Sequence, residues 1–594
     1  MSWLQSRRGK IAGLVVLLAL LLGAPFLLRE YPLFVLSLAI VNVIATLGVN
    51  LAMGYAGQVS LGHAGFAAIG AYTTALLVVN LDLSFWPALL LGGLLAAAFG
   101  YLLGLPSLRL GPLYVSMVTF GFGSVVVLIL QNWYDLANGP NGMSVPAPSL
   151  FGYDLFSREF YFPIVAVAAC LFWLAYNIVN SRQGRAFIAI RESELGARGM
   201  GVNLSHYKTM AFAIGAFYAG ISGGLLAGLA QFVNPDAFVF TVSILYVTMA
   251  ILGGMGSLVG SAIGGLMLTV LPELLRGAAD YKDFLTGFLL LILLVFLPNG
   301  IVGLFRQYRP SRVAAEAAAP ERPHAIASPR SSPHAPALGP TLLDVADLSI
   351  SFGGIAALER VSLDLKSNEI LSVIGPNGAG KTTLFNIISG LYQPNSGTVS
   401  FAGRNITATP AHRRTKMGIA RTFQNLELFN EMSALDNVLV GAHVQLKGKL
   451  LDSTFKTPRE RAEEAMARKH ALKLLDFIGL LPHAAQPASA LAFGHQRLLE
   501  IARALASSPK LLLLDEPAAG LNSSEMEFLM GLIRQIRDER GVSVLLIGHT
   551  MRLVMSLSDR IVVLDHGEKI ADGSPTEIQK NPRVIEAYLG PGDA

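Results

Sequence analysis

The sequence predicts a two-part fold, an N-terminal polytopic α-helical membrane bundle followed by a C-terminal α/β domain built around a phosphate-binding loop. Hydrophobic residues make up 53% of the 594 residues and charged ones 14%, too apolar for a water-soluble protein of this length. The average hides a split, because charge is sparse before about residue 305 and ordinary after about residue 341. In the later part, Ile374-Gly375-Pro376-Asn377-Gly378-Ala379-Gly380-Lys381-Thr382-Thr383 fits the spacing G-x-x-x-x-G-K-[ST].

Apolar runs near 11–28, 33–52, 59–79, 86–104, 112–131, 161–180, 209–230, 238–252, 259–272 and 284–304 suggest about ten spans, some of them re-entrant or broken. The first follows Arg7, Arg8 and Lys10 and is long enough to span, so it reads as a membrane helix rather than a cleaved leader. Those residues, with Arg109, Arg182, Arg185, Arg191, Arg198, Arg306, Arg309 and Arg312, mark cytoplasmic edges by the positive-inside bias, and an even span count satisfies all of them. Both termini are then expected in the cytoplasm. The net charge of +5 is explained by anionic membrane lipid rather than nucleic acid, which is not an expected partner. Cys170, the only cysteine, lies in an apolar run and is expected to be a small buried side chain.

Two Gly-rich interruptions break the hydrophobic pattern, Met53–Gly65 and Leu252–Gly260. Unwound backbone at membrane depth is tolerated where it lines a cavity, so Gln58, Ser60, His63 and Ser257 are candidate pathway residues. The alternative is that the glycines let helices pack closely and His63 bonds a neighbouring helix. The segment Asn138–Gly142 reads as turns.

The expected divisions are a transmembrane domain at 1–308, a flexible linker at 309–340 and a nucleotide-binding domain at 341–594. Pro310, Pro320, Pro323, Pro329, Pro333, Pro336 and Pro340, set among Ala and Ser, cannot bury a core and give an extended tether.

In the last domain Leu371–Ile374 reads as the strand entering the loop. Backbone N–H groups from Gly375 to Thr383 would turn toward phosphate oxygens of ATP, Lys381 would hold the β- and γ-phosphates, and Thr382 the Mg²⁺. Leu511–Leu514 runs into Asp515-Glu516, where Asp515 would reach Mg²⁺ through water and Glu516 would polarise the attacking water.

Further residues carry a family resemblance. Leu491-Ala492-Phe493-Gly494-His495-Gln496-Arg497 occupies the place of the L-S-G-G-Q signature of ABC ATPases, and Ala518–Asn522 is similar to the D-loop that follows it. The resemblance implies that Leu491, Ala492, Phe493, Gly494 and His495 contact a nucleotide and that Phe352 stacks on adenine. It also implies that Gln424 is the Q-loop glutamine, catalytic and near the metal, and that His549 is the catalytic switch histidine. Ala492 lacks the signature hydroxyl, His495 replaces its glutamine, and Thr550 stands where an aspartate is usual.

In the earlier part, Glu194-Leu195-Gly196-Ala197-Arg198-Gly199-Met200-Gly201 resembles the E-A-A-x-x-x-G loop of bacterial importer permeases, which docks on the ATPase. Glu194, Gly196, Ala197 and Gly201 are the implied coupling residues, with Gly196 replacing an alanine. Gly57–Phe66, Gly139–Gly142 and Arg191–Leu195 resemble Liv-type permease segments, so nearly the whole chain resembles a Liv-type ABC importer with permease and ATPase fused. The resemblance implies a bacterial inner-membrane importer of branched-chain or other hydrophobic amino acids that couples ATP hydrolysis to alternating access. Its implied partners are a second permease and a second ATPase, or a second copy of the chain, and a periplasmic binding protein. Urea, short amides and aromatic acids are alternative substrates. An exporter half-transporter fits less well, since its helices would extend far into the cytosol.

Overall fold

The structure, a computed structural model, describes residues 19–108, 110–275, 287–288, 291–292, 295–297, 300–306 and 337–589. Two compact units emerge. One takes the chain up to Arg191, resumes at Ser205 through the rest of the apolar half, and includes Ser453–Phe455. The other takes Glu192–Leu204, the later chain to Asp452, and everything from Lys456 onward.

In the first unit the apolar runs become helices α1 (Glu30–Val49), α2 (His63–Leu81), α3 (Phe85–Gly104), α4 (Pro112–Asn132), α5 (Ser157–Val179), α8 (Leu204–Ala230), α9 (Phe240–Gly253) and α10 (Leu258–Leu274). In the loop after α5 lie α6 (Arg182–Glu192) and, in the second unit, α7 (Glu194–Gly199). Among the described residues seven helices are long and apolar enough to cross a membrane, not ten. The run at 259–272 yields α10, whose 17 residues rise about 25 Å against an apolar bilayer core of about 30 Å. Residues 11–18 of the first run, parts of the run at 284–304 and most of the expected linker lie outside the described residues.

Helix α8 is the inner helix, with 83% of its spanning window buried, whereas the window of α4 is 22% buried. The inner position is made of missing side chains. A Cβ on Gly70 would stand 2.1 Å from the Gly220 carbonyl oxygen, and one on Gly223 would stand 1.9 Å from that of Ala67. Without a hydrophobic drive between helices in lipid, such close backbone packing supplies the dispersion contacts that hold a bundle. Cys170 is exposed on α5, contrary to the expectation of burial. An apolar thiol needs no protein cover on a face that lipid can solvate. Asn138–Gly142 forms the expected turns, with Asn138 and Gly139 both left-handed and the Asn138 amide donating to the Gly142 carbonyl at 2.7 Å.

The second unit holds strands β1 (Thr341–Phe352), β2 (Ile355–Lys366), β3 (Ile370–Ile374), β4 (Ser396–Phe401), β5 (Ile419–Arg421), β6 (Leu511–Asp515), β7 (Ser543–Ile547), β8 (Arg560–Asp565) and β9 (Glu568–Gly573). One sheet runs β5-β6-β7-β3-β8-β9, parallel except for the last pair. Its central strands β6, β7 and β3 are buried at every residue, which is why they read as unbroken apolar runs rather than alternating ones. A second, antiparallel sheet is built on β2-β1-β4. Because β3, β6 and β7 are parallel neighbours, their C-terminal ends lie side by side, and ligand sites form at such ends.

Candidate functional site: a nucleotide site and its coupling segment

From those adjacent strand ends emerge the phosphate-binding loop after Ile374, Asp515-Glu516, and Gly548-His549. Helix α11 (Lys381–Ser389) starts at the loop, so its N–H groups and dipole face the same point. Its N-cap Gly380 has φ 93°, and a Cβ there would stand 2.5 Å from the Ala357 carbonyl, so the turn requires glycine. Lys381 donates from Nζ to the carbonyls of Gly375 and Pro376, both at 2.8 Å. Burial lowers its pKa, opposed by the carboxylates of Glu516 and Asp515. Thr382 is exposed on the first helical turn.

Asp515 is buried, and its Oδ2 accepts from Arg421 Nη2 at 3.0 Å. Its other oxygen, Oδ1, is buried without a hydrogen-bond partner. Desolvation raises the Asp515 pKa against the pull of Arg421. A buried, unpartnered carboxylate oxygen beside a phosphate loop fits a water-bridged Mg²⁺, and the exposed Thr382 hydroxyl fits a direct ligand. Glu516 has φ 47°, a left-handed value unusual for a residue bearing a side chain, and its Oε1 lies 3.0 Å from His549 Nε2. Strain of this kind persists where the surroundings over-determine a residue, as at a catalytic position. Thr550, in the place of the usual aspartate, caps α-helix Met551–Leu557 without a side-chain cap bond.

Phe352 is 47% exposed and packs edge-on to Tyr392 at 5.4 Å, leaving an aromatic face for a base. Tyr392 was not among the expected residues, since nothing in its local sequence marks it. The signature segment enters α12 (Phe493–Leu505) through Ala492, its N-cap, with no side-chain cap bond. A Cβ on Gly494 would stand 2.4 Å from Glu525 Oε1, so a larger residue there would displace that carboxylate. His495 lies 5.2 Å from His483, ring centre to ring centre. Burial, then the neighbouring His483, lowers its pKa, with Glu525 opposing. Leu491 is buried and Phe493 is 45% exposed.

Buried charge on α12 fixes the Q-loop. Arg497 donates to the carbonyls of Phe423 at 3.0 Å and Gln424 at 2.7 Å, Glu500 accepts from the Phe423 N–H at 3.0 Å, and Arg503 donates to the Glu427 carbonyl at 2.5 Å. Burial raises the Glu500 pKa and lowers that of Arg503, each opposed by the partner. The Gln424 side chain itself is exposed. Sequence reading missed this clamp because charged residues on an amphipathic helix look solvated until their face is known.

The same loop receives α7. Ser193 caps α7, accepting from the Gly196 N–H at 2.8 Å and donating to Glu427 Oε2 at 2.5 Å. Glu192 Oε2 accepts from the Glu431 N–H at 3.0 Å, and Thr415 donates to the Gly199 carbonyl at 3.2 Å. A Cβ on Gly196 would stand 2.8 Å from the Glu427 carbonyl, and one on Gly201, whose φ is 82°, would meet Val444 at 2.2 Å. Gly196 is therefore needed for close approach rather than merely tolerated in place of alanine. Ala197 is fully buried, while Glu194 is exposed, and its neighbours Glu192 and Ser193 bond to Glu431 and Glu427.

Gln58, Ser60 and His63 are buried, with Gln58 donating to the Ala56 carbonyl and His63 Nδ1 lying 3.3 Å from Ser60 Oγ. Ser257 caps α10 by accepting from the Gly260 N–H.

Residues 31–296 match the family model of the branched-chain amino acid transport system permease component, and residues 358–519 match that of the ABC transporter. Residues 568–592 match the branched-chain amino acid ATP-binding cassette transporter model, a tail the motifs did not single out. The chain is 48% identical over 249 residues to the high-affinity branched-chain amino acid transport ATP-binding protein LivG of Salmonella typhimurium, covering 42% of this chain and 98% of that one. The ATP-binding protein BraF of Pseudomonas aeruginosa is 47% identical over the same shares. The permease protein LivM of Escherichia coli is 36% identical over 318 residues, covering 49% of this chain and 75% of that one. With a full cassette and most of a permease in one polypeptide, this multi-pass membrane protein belongs to the Liv-type ABC transporter family and couples ATP hydrolysis to transport.

Proposed function

We propose that the chain imports branched-chain amino acids across a bacterial inner membrane, with both termini and the ATPase in the cytoplasm. The observation that carries this reading is the presence, in one polypeptide, of a permease and a cassette both similar to branched-chain amino acid transport components. The functional divisions are residues 1–308, the tether 309–340 and 341–594. Two permease and two ATPase parts, from a second subunit pair or a second copy, complete the transporter, and a periplasmic binding protein delivers substrate. Other hydrophobic amino acids, urea, short amides or aromatic acids remain for the experiment to separate.

In the mechanism, N–H groups of Gly375–Thr383 and Lys381 hold the ATP phosphates, and Phe352 stacks on the base. Thr382, Gln424 and Asp515 would hold Mg²⁺, which would supply charge neutralisation to the phosphates. Glu516 accepts a hydrogen bond from the attacking water, and His549, 3.0 Å away, orients Glu516 and faces the γ-phosphate. Leu491–His495 of the opposing cassette close the site. With Ala492 and His495, that closure relies on the Gly494 N–H where a serine hydroxyl would have donated. Access alternates through the interruptions that hold Gln58, Ser60, His63 and Ser257.

The test is uptake of labelled leucine by liposomes carrying the chain with its partner subunits and binding protein, with Glu516→Gln as control. Leucine uptake abolished by that change supports the reading. Hydrolysis without leucine uptake refutes the substrate and directs the assay to urea, amides, aromatic acids or efflux.

A further inference from the structure

Both Gly-rich interruptions of the membrane unit are gripped by the same pair of side chains. Helix α1 loosens into a π-helical turn at Asn50–Tyr55, which displaces its carbonyls from the regular ladder. Asn50, buried, reaches the second interruption: Oδ1 accepts from the Gly256 N–H at 2.8 Å, and Nδ2 donates to the Ser257 carbonyl at 2.8 Å and Ser261 Oγ at 2.6 Å. A Cβ on Gly54 would stand 1.8 Å from Asn50 Oδ1 and 2.6 Å from the Gly256 nitrogen. Asn50 therefore ties the two interruptions into one piece.

Arg191, near the end of α6, holds that piece. Its Nη1 donates to the Gly54 carbonyl at 2.6 Å, in the first interruption. A Cβ on Gly256, in the second, would lie 3.1 Å from the same Nη1, and Gly57, with φ 68°, leaves room for the Arg191 stem at 3.0 Å. The next residue in the chain is Glu192, which in the nucleotide-binding unit accepts from the Glu431 N–H, followed by Ser193 bonded to Glu427. One peptide bond separates the hook on the interruptions from the hook on the Q-loop segment.

We propose that Arg191 is the positioning residue through which nucleotide-driven displacement of the coupling segment reaches both membrane interruptions together. A guanidinium is suited to this role because it is always charged, planar and rigid, so it conveys a lateral pull that a flexible ammonium would lose. The carbonyl it holds lies in the last turn of the helix, which ends at Tyr55, and so accepts the bond without taking it from a regular ladder. The inference rests on the transport reading above, but one of its readouts needs no substrate.

The experiment uses the full chain in its assembled transporter, in liposomes, with Cys170→Ser as background and Ser257→Cys as reporter. Labelling by a water-soluble maleimide is compared with and without ATP and vanadate, alongside ATP hydrolysis and leucine uptake. In Arg191→Gln, hydrolysis should stay within about twofold while uptake falls about tenfold and the nucleotide-dependent change in labelling disappears, with Arg191→Lys intermediate. Gly57→Ala, which pushes the arginine stem aside without removing it, should reproduce the loss and serves if Arg191→Gln fails to assemble. The proposal is overturned if the reporter protein with Arg191 and Gly57 intact shows no nucleotide-dependent labelling, if labelling still responds in Arg191→Gln or Gly57→Ala, or if hydrolysis and uptake fall in equal proportion. Absence of leucine uptake in every form, with labelling that responds to nucleotide only when Arg191 is present, would sink the substrate reading and leave this one standing.

Discussion

Gly70 meets Gly220 and Gly223 meets the Ala67 carbonyl with no room for a methyl group, and Gly441 meets the Arg503 carbonyl as closely in the nucleotide-binding unit, but there buried charge adds a second kind of contact. There Arg414 is buried and donates to the carbonyls of Thr409, Ile387, Ile388 and Thr407, the middle two at the end of α11. Arg421 holds Asp515, and Arg497, Glu500 and Arg503 hold the Q-loop. The difference follows from solvent. In lipid an unpaired charge is costly and a hydrophobic surface gains nothing by burial, so contact is made by removing atoms. In water the apolar core supplies stability enough to bury arginines, whose forks then fix loop backbones at defined distances.

If charge sets function rather than bulk in the nucleotide-binding unit, removing charge without changing shape should silence it. Glu516→Gln is expected to lower ATP hydrolysis by about 10²–10⁴-fold while nucleotide still binds, read by phosphate release against binding of a fluorescent ATP analogue. Equal loss of binding would mean that the site had been deformed. Arg414→Ala leaves two buried and two part-buried carbonyls short of a donor and should cost about 3 kcal/mol, seen as lost amide-exchange protection across residues 381–417 with the membrane helices unchanged.

The glycine side of the comparison is sharpened by Gly223→Ala, expected to destabilise by about 1–3 kcal/mol because backbone stands in the way. Gly121→Ala is its control: nothing lies within 4 Å of the added Cβ, so thermal unfolding in detergent should not shift downward. Similar losses from both would show that glycine flexibility, not close approach, is what matters.

The smallest effect concerns pH. Burial and His483 hold the His495 pKa below its ordinary 6.5, so the folded protein resists a proton that the unfolded chain accepts. Its contribution to stability is intact above 6.5 and declines as pH falls through that value toward the lowered folded one. His495→Gln should flatten part of the acid decline in unfolding midpoint, and His412 and His470, also lowered by burial, should keep the remainder. An unchanged pH profile would remove His495 from this account.

The phosphate loop, the strands at Leu371 and Leu511, and the spans were legible because each is a local pattern: a fixed spacing, an unbroken apolar strand, or a run of bilayer length. Other features were not. The exposure of Cys170 depends on which face of α5 meets lipid, and nothing local marks Glu192 and Ser193 as bonding Glu431 and Glu427. Asn50 is one amide in an apolar run, and its bonds to Gly256, Ser257 and Ser261, about two hundred residues away, leave no local trace.

By itself the sequence determined which parts live in lipid and which in water, the order of the two functional parts, and the phosphate-binding loop, since composition and short-range spacing decide those. The tertiary structure alone decided which glycines are required, which arginines are buried, and that two distant interruptions share one amide and one guanidinium. Those depend on what lies across a gap of a few ångströms from elsewhere in the chain, and the physical meaning of a small or charged residue is set by that neighbour.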